Sequence, residues 1–382
     1  MDAQAVDELA NYYDKQFKET SATGSIYEPM TPLVEAAHRH RMAVLAALPL
    51  EPLEGKTVVD FGTGSWGFAC IFPRLQHCRL AIGLDISAEA VRISEGVSAN
   101  GSFAYGDRYK YYVSDGISIP LPDSSVDVFF SGECIEHVEN TDAFLDEIYR
   151  VLVSGGTLIL TTPNPHPVLY RTFGDLYAVG PEHIALMTLT ELLGYLEPRF
   201  EVIIIKGYNT SLHTSLDMSV TNGDFARQWA AIHENHPEDA CGFIVMGRKK
   251  AGWKPKHFSR TLYSITCVDL VKQGLWLDVP LHESLHGLVG MLGSSLALNF
   301  FGNEIVILLW SHDWSGIADI AVDQQKQTVD LFSSAGGFRR VIFKDLELGI
   351  EHQLTIKPTG AKNPRSADEQ VIFFSASAYK CG

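Results

Sequence analysis

The run VVDFGTGSWGFACIF, Val58–Phe72, constrains this chain more than any other. A short β-branched stretch meets a glycine-rich turn, and an apolar helix start follows at once. Gly62 and Gly64 let the backbone bend sharply and approach a ligand with no Cβ in the way. The helix start behind them presents free N–H groups. Strand, turn and helix in that order belong to an open α/β sheet, with the ligand outside the strand C-ends. The surrounding texture agrees. KTVVDFG, RLAIGLDI, VDVFFSG, GTLILTTP, RFEVIIIKG and CGFIVMGRKK alternate with helical patterns. The clearest helix is TDAFLDEIYRVLV, with Phe144, Leu145, Ile148, Tyr149 and Leu152 on one face. Such alternation predicts a parallel sheet covered on both faces.

Three acids fall at the ends of successive β runs. Asp60 precedes the glycine turn, within reach of an ammonium group or of the turn's N–H groups. Asp85 ends AIGLD, where a carboxylate accepts from ribose hydroxyls. Asp115 ends KYYVSDG, where it accepts from an adenine amino group. A nicotinamide-dependent dehydrogenase uses a similar turn.

In order, VVDFGTGSWG, GLDIS, SDGISIPLPDSSVDVFFSGECIEHVEN and RVLVSGGTLILTTPNP resemble the successive motifs of class I S-adenosylmethionine-dependent methyltransferases. The resemblance covers about Val34 to Lys250, and its later blocks fit methyltransferases better than dehydrogenases. It implies that Asp60, Gly62 and Gly64 meet the amino-acid end of S-adenosylmethionine. Asp85 then meets the ribose, and Asp115 with Gly116 the adenine. One departure stands out: Trp66 occupies the family's third glycine position, and the next glycine is Gly67.

GECIEHVEN reads as the opening of a helix, which puts Glu133, Glu136 and His137 at i, i+3 and i+4 on one face. His183 precedes a second helix, for which Thr188 or Thr190 supplies the cap. Two carboxylates and imidazoles can chelate a divalent cation. The block resembles the E-x-x-E-H of ubiquinone-biosynthesis O-methyltransferases. With His183, Thr188 and Glu191 it also resembles small-RNA 2′-O-methyltransferases. That resemblance implies Mg²⁺ or another divalent cation on Glu133, Glu136, His137 and His183, lowering the pKa of an acceptor hydroxyl. A metal-free base at His137 or His183, or plain packing, is the alternative reading of these residues. Tyr12 and Tyr13 read as a lid helix or an ordinary amphipathic one. His38, Arg39, His40 and Arg41 read as a solvated face. His166, Tyr170, Arg171 and Tyr177 sit in a post-strand loop of the kind that contacts substrate.

After Lys250 the texture becomes almost wholly β: LYSITCVDLV, GLWLDV, SLALNFFG, EIVILLW, IADIAVD, QTVDLF, RRVIFK, HQLTIKP and VIFFSASAY. Gly302-Asn303, Ala335-Gly336-Gly337 and Thr359-Gly360 read as turns. Short strands at this spacing predict an antiparallel sandwich or jelly roll. The stretch from about His257 to Lys380 resembles β-sandwich modules found beside glycan-active enzymes. In such a module Trp310 and Trp314 are candidates to stack on sugar rings. A dimerisation or scaffold domain is the plainer reading. The domain expectation is therefore a methyltransferase domain at 1–250, a linker at 251–257 and a carbohydrate-binding-like sandwich at 258–382.

Bulk chemistry narrows the partners. The formal net charge is −16, unlike a general nucleic-acid binder. No apolar run is long enough to span a bilayer. The N-terminus MDAQAVDELANYYDKQF has no basic start followed by an apolar run, so no signal peptide is expected. Six cysteines with no CxxC pair fit reduced cytosolic thiols. The expectation is a cytoplasmic O-methyltransferase of a sugar or glycan hydroxyl, in polysaccharide assembly. It involves no nucleic acid and no membrane insertion, and homo-oligomer formation stays open. A phenol or quinone precursor as acceptor, or an inactive glycan-binding protein, are the alternatives.

Overall fold

The computed structural model describes residues 8–22, 44–64, 77–100, 108–166, 182–208, 234–282, 285–334 and 336–381. Two compact units are present. The larger holds Tyr13–Val179 and Ala185–Pro255, and the other holds Met1–Tyr12, Gly180–Ile184 and Lys256–Gly382. Among the described residues no helix is long and apolar enough to cross a membrane.

The first unit holds α1 (Glu8–Ala22) from Tyr13 on, β1 (Thr57–Phe61), β2 (Leu80–Asp85), α2 (Ala88–Asn100), β3 (Tyr109–Val113) and β4 (Val126–Gly132). Then follow α3 (Thr141–Val151), β5 (Leu152–Pro163), α4 (Leu189–Leu196), β6 (Phe200–Tyr208) and β7 (Gly242–Lys249). The seven strands run in the order β3-β2-β1-β4-β5-β7-β6. The sheet is parallel, as expected, except at β7, which lies antiparallel to both β5 and β6.

Alternate residues of each strand feed two apolar layers, as period-2 geometry demands. Val59, Phe61, Ile82, Leu84, Phe129 and Leu160 pack with Phe144, Leu145 and Ile148 of α3 and Leu192 and Leu196 of α4. Val58, Ala81, Val128, Phe130, Ile159 and Ile244 pack on the opposite face with Val44, Leu48 and Val91. Asn140 starts α3 by accepting from Ala143 N. The helix ends at Val151, so Leu152 belongs to β5 rather than to the helical face. Thr188, not Thr190, caps α4, in a capping box with Glu191.

The second unit is all β: β8 (Phe258–Ser264), β9 (Val271–Gln273), β10 (Trp276–His282), β11 (Leu285–Gly290), β12 (Ser295–Phe301) and β13 (Glu304–Ser311) come first. They precede β14 (Gly316–Val322), β15 (Gln325–Asp330), β16 (Gly337–Phe343), β17 (Glu351–Lys362) and β18 (Val371–Cys381). One antiparallel sheet runs β10-β11-β18-β13-β16, with β8 also on β18; the other runs β15-β14-β17-β12-β9. One core joins them: Leu296, Leu298, Phe300, Ala318, Ile320 and Val322 from one sheet meet Ile305, Ile307, Leu309, Phe343 and Phe373 from the other. This is sandwich packing. Thr359-Gly360 is no turn. It lies inside β17, where the register with β14 slips, as at a bulge.

Candidate active site

The sheet order places the C-ends of β3, β2 and β1 side by side, so Asp115, Asp85 and Asp60 line one half of the sheet's carboxyl edge. At about 4.8 Å per strand the row spans roughly 10 Å. Between β1 and β4 the strand order reverses, and ligands of open α/β sheets enter at such a crevice.

The glycine turn is held from β2. Gly62 N and Thr63 N donate to Leu84 O at 2.8 and 3.1 Å. Gly64 N donates to Asp85 Oδ2 at 2.8 Å, and Ser87 N donates to Oδ1 at 2.9 Å. Gly62 has φ +75°, and a Cβ there would sit 2.9 Å from Cys134, so the turn and the chain after β4 pass too close for any side chain. Burial pushes the Asp85 carboxyl above its ordinary range, while the N–H groups of Ser87 and Gly64 pull it back. Asp60 is buried and accepts from Thr63 Oγ1 at 3.4 Å. Asp115 Oδ1 accepts from Ile117 N at 3.0 Å and Ser118 N at 3.3 Å. Gly116 packs under Phe61 and Phe144, either of which a Cβ would overlap. Gly67 with Trp66, the His38–Arg41 run, and Tyr170, Arg171 and Tyr177 lie outside the described residues.

The other half of the edge differs from the sequence expectation. GECIEHVEN forms only a single 3-10 turn, Ile135–His137. Glu133 lies before it with φ +50°, a left-handed conformation that costs a non-glycine residue about 1–3 kcal/mol. This breaks the helical path, so the three side chains do not share one face. Glu133 Oε1 accepts from Thr161 Oγ1 at 2.7 Å and from Tyr208 Oη. Glu136 is fully buried, and its Oε2 accepts from Thr162 Oγ1 at 2.9 Å. The neighbouring threonines of β5 thus hold one glutamate each.

Of the four residues expected to hold a cation, Glu136 and His137 lie together, with His137 Nε2 3.9 Å from Glu136 Oε1, whereas Glu133 is turned to Thr161 and Tyr208 and His183 belongs to the other unit. Ala185 N donates to Glu136 O at 2.7 Å and ties the downstream chain there. Carboxylate and imidazole ligands together suit Mn²⁺, Fe²⁺ or Zn²⁺ better than Mg²⁺, which prefers all-oxygen sites. From α1, Tyr13 Oη lies 2.9 Å from His137 Nδ1. Asp14 accepts from Ser87 Oγ at 2.5 Å and Glu89 N at 3.1 Å, and Phe17 lies 3.8 Å from the position of a Gly64 Cβ. α1 therefore reaches both halves of the edge. Sequence reasoning weighed Tyr13 but missed Asp14, Phe17 and Tyr208. A contact between residues far apart in the chain leaves no local pattern.

In the second unit, Trp310 is 6% exposed and packs edge-on against Phe338, which removes it as a stacking surface. Trp314 is 52% exposed.

Residues 59–160 match the family model described as "Methyltransferase domain". The ajmaline N-methyltransferase of Rauvolfia serpentina is 27% identical over 172 residues, covering 41% of this chain and 58% of the relative. The sterol 24-C-methyltransferase of Pneumocystis carinii is 30% identical over 121 residues, covering 32% and 30%. The chain thus spans between 30% and 58% of these curated relatives. The solved magnesium protoporphyrin IX methyltransferase of Synechocystis PCC 6803, with bound SAH, aligns over 63% of this chain and 98% of its own. Its identity is 15% and its TM-score 0.45. By the match over residues 59–160 and by its sheet order, the larger unit has a Rossmann-like methyltransferase fold.

Proposed function

We propose that the chain is an S-adenosylmethionine-dependent methyltransferase acting on a hydroxyl group. One observation carries the reading: a glycine turn pinned to Asp85, in a row with Asp60 and Asp115, inside the segment that matches the methyltransferase domain. The donor chemistry fits the cofactor. Asp85 accepts two backbone N–H groups and has capacity for about two more donors, which suits the ribose hydroxyls. Asp115 with Gly116 would meet the adenine, and Asp60 with Gly62 and Gly64 the amino-acid end. When bound, the cofactor supplies a methyl group on a sulfonium.

The chain's own work is then to orient the acceptor and remove its proton. His137, steadied by Tyr13 at Nδ1, has its Nε2 3.9 Å from Glu136 Oε1. It serves as the proton acceptor, or joins Glu136 in holding a divalent cation that would acidify the hydroxyl. The sugar or glycan as carrier of that hydroxyl, and a place in polysaccharide assembly in the cytoplasm, rest on the resemblance of the sandwich to glycan modules. A small-molecule acceptor is the second reading, favoured by the ajmaline N-methyltransferase relative.

Calorimetry with S-adenosylhomocysteine tests the cofactor: absence of binding would end the proposal. Label transfer from methyl-labelled cofactor to sugars, phenols and amines identifies the acceptor class. The metal arm predicts loss of transfer in EDTA and recovery with Mn²⁺ or Zn²⁺. Full transfer in EDTA leaves His137 as a metal-free base.

A further inference from the structure

Tyr208 ends β6, at the far edge of the sheet from the three acids, and is fully buried. Its ring crosses the neighbouring strand at Gly242, its partner in the β6–β7 register, where any Cβ would overlap the ring. The phenol then donates to Glu133 Oε1, the oxygen that also accepts from Thr161 Oγ1 at 2.7 Å. Two hydroxyls from two strands converge on one carboxylate oxygen. Glu133 N adds a bond of 3.0 Å to Thr161 O and lies 3.1 Å from Thr161 Oγ1. Together these contacts over-determine the left-handed backbone of Glu133.

That backbone step has consequences on both sides. On one side Cys134 lies close to Gly62, while the glycine turn itself stays held from β2. On the other, the step starts the 3-10 turn that delivers Glu136 to Thr162 and His137 to Tyr13. A buried tyrosine needs only some acceptor for its hydroxyl, and a backbone carbonyl would serve. Tyr208 instead reaches a half-buried carboxylate at the ligand-binding edge of the sheet.

We propose that Tyr208 is a positioning residue for methyl transfer. Through its hydroxyl it holds Glu133 in the strained conformation that presents the Glu133 carboxylate to a hydrogen-bond donor on the acceptor. The proposal rests on the methyltransferase reading above. Glu133 is then an acceptor-binding group rather than a metal ligand.

The test is Tyr208→Phe, which keeps the ring over Gly242 and removes only the hydroxyl. The acceptor is whichever of catechol, tyramine and methyl glucoside the unmutated chain methylates. Losing one hydrogen bond to a carboxylate should lower kcat/KM for that acceptor by about tenfold or more. The Kd for S-adenosylhomocysteine, held by the other half of the edge, should stay within about twofold. Thr161→Val, which removes the second hydroxyl, should give the same split. In a Glu133→Gln background, Tyr208→Phe should add less than about a further twofold, because the two residues act as one unit. Unchanged turnover in both single variants overturns the proposal. So does a parallel loss of cofactor affinity and turnover, the mark of a merely structural residue. Failure of the unmutated chain to bind S-adenosylhomocysteine overturns the methyltransferase reading itself, and the two failures cannot be confused.

Discussion

Replacing Asp85 by Asn is the most direct probe of the cofactor site proposed for this half of the edge. The carboxylate takes Gly64 N on one oxygen at 2.8 Å and Ser87 N on the other at 2.9 Å. Asparagine keeps the shape but offers a single acceptor oxygen and turns an NH₂ toward one of those donors. A hydrogen bond to a charged group contributes about 1.5–3 kcal/mol, and at this buried site solvent screens it little. Losing at least one such bond leaves a turn that must be reordered on binding and a site short of one acceptor. At 1.4 kcal/mol per factor of ten, S-adenosylhomocysteine affinity should fall roughly 10- to 100-fold. The pH dependence adds a second signature. Burial raises the Asp85 carboxyl above the usual aspartate range. Only the ionised form accepts both N–H groups, so affinity is present above that raised value and is lost as pH falls through it. The acid loss should therefore begin at a higher pH than an exposed aspartate would give, and it should vanish in Asp85→Asn. Calorimetry across about pH 4 to 8 measures both effects. An Asn variant that binds within about twofold of the unmutated chain, or that keeps the same acid limb, refutes the reasoning.

Arg199→Met should destabilise the first unit by about 3–5 kcal/mol in urea unfolding. It removes the 2.6 Å partner of the wholly buried Asp146, which Trp253 Nε1 also contacts at 2.9 Å. An unchanged midpoint would contradict this, and Arg199→Met with Asp146→Leu should recover much of the loss. Trp310→Ala should cost the sandwich about 3–5 kcal/mol, whereas Trp314→Ala should shift its melting little, a contrast that one thermal scan can read. His352 sits between Asp323 Oδ2 at 2.5 Å and Glu347 O at 2.8 Å. Burial opposes its charge, yet those two partners outweigh burial and raise its pKa. Its contribution to stability is thus complete below the unfolded value of about 6.5 and is lost as pH rises through the higher folded value. His352→Asn should flatten that slope, and an unaltered slope would assign it to another group.

The three-acid half of the edge was legible in the chain because its signals are local. A β-branched run ending in Asp60 and a glycine turn is set by backbone sterics over a few residues. The same holds for the capping box of Thr188 and Glu191, since both partners lie in one helical turn. Strand existence in both units followed from the same short-range patterning, and the sandwich followed from the many short strands at close spacing after Lys250.

What only tertiary structure decided depends on chain segments meeting at long separation. The E-x-x-E-H spacing suits a helix face, but Thr161 and Tyr208 compete for Glu133, and their bonds override the local helical preference. Tyr208 lies 75 residues from Glu133 and reaches it because β7 enters antiparallel and offers Gly242 as the gap for its ring. Trp310 and Trp314 stand four residues apart with similar neighbours. One ends a strand buried on both faces and the other tops an exposed loop, a difference set by what packs around them. The sequence by itself determined which residues carry charge, turn or cap, because those properties reside in one or a few adjacent residues. Which of them share a site was decided by strand order and long-range hydrogen bonds, whose energies depend on geometry that no single segment contains.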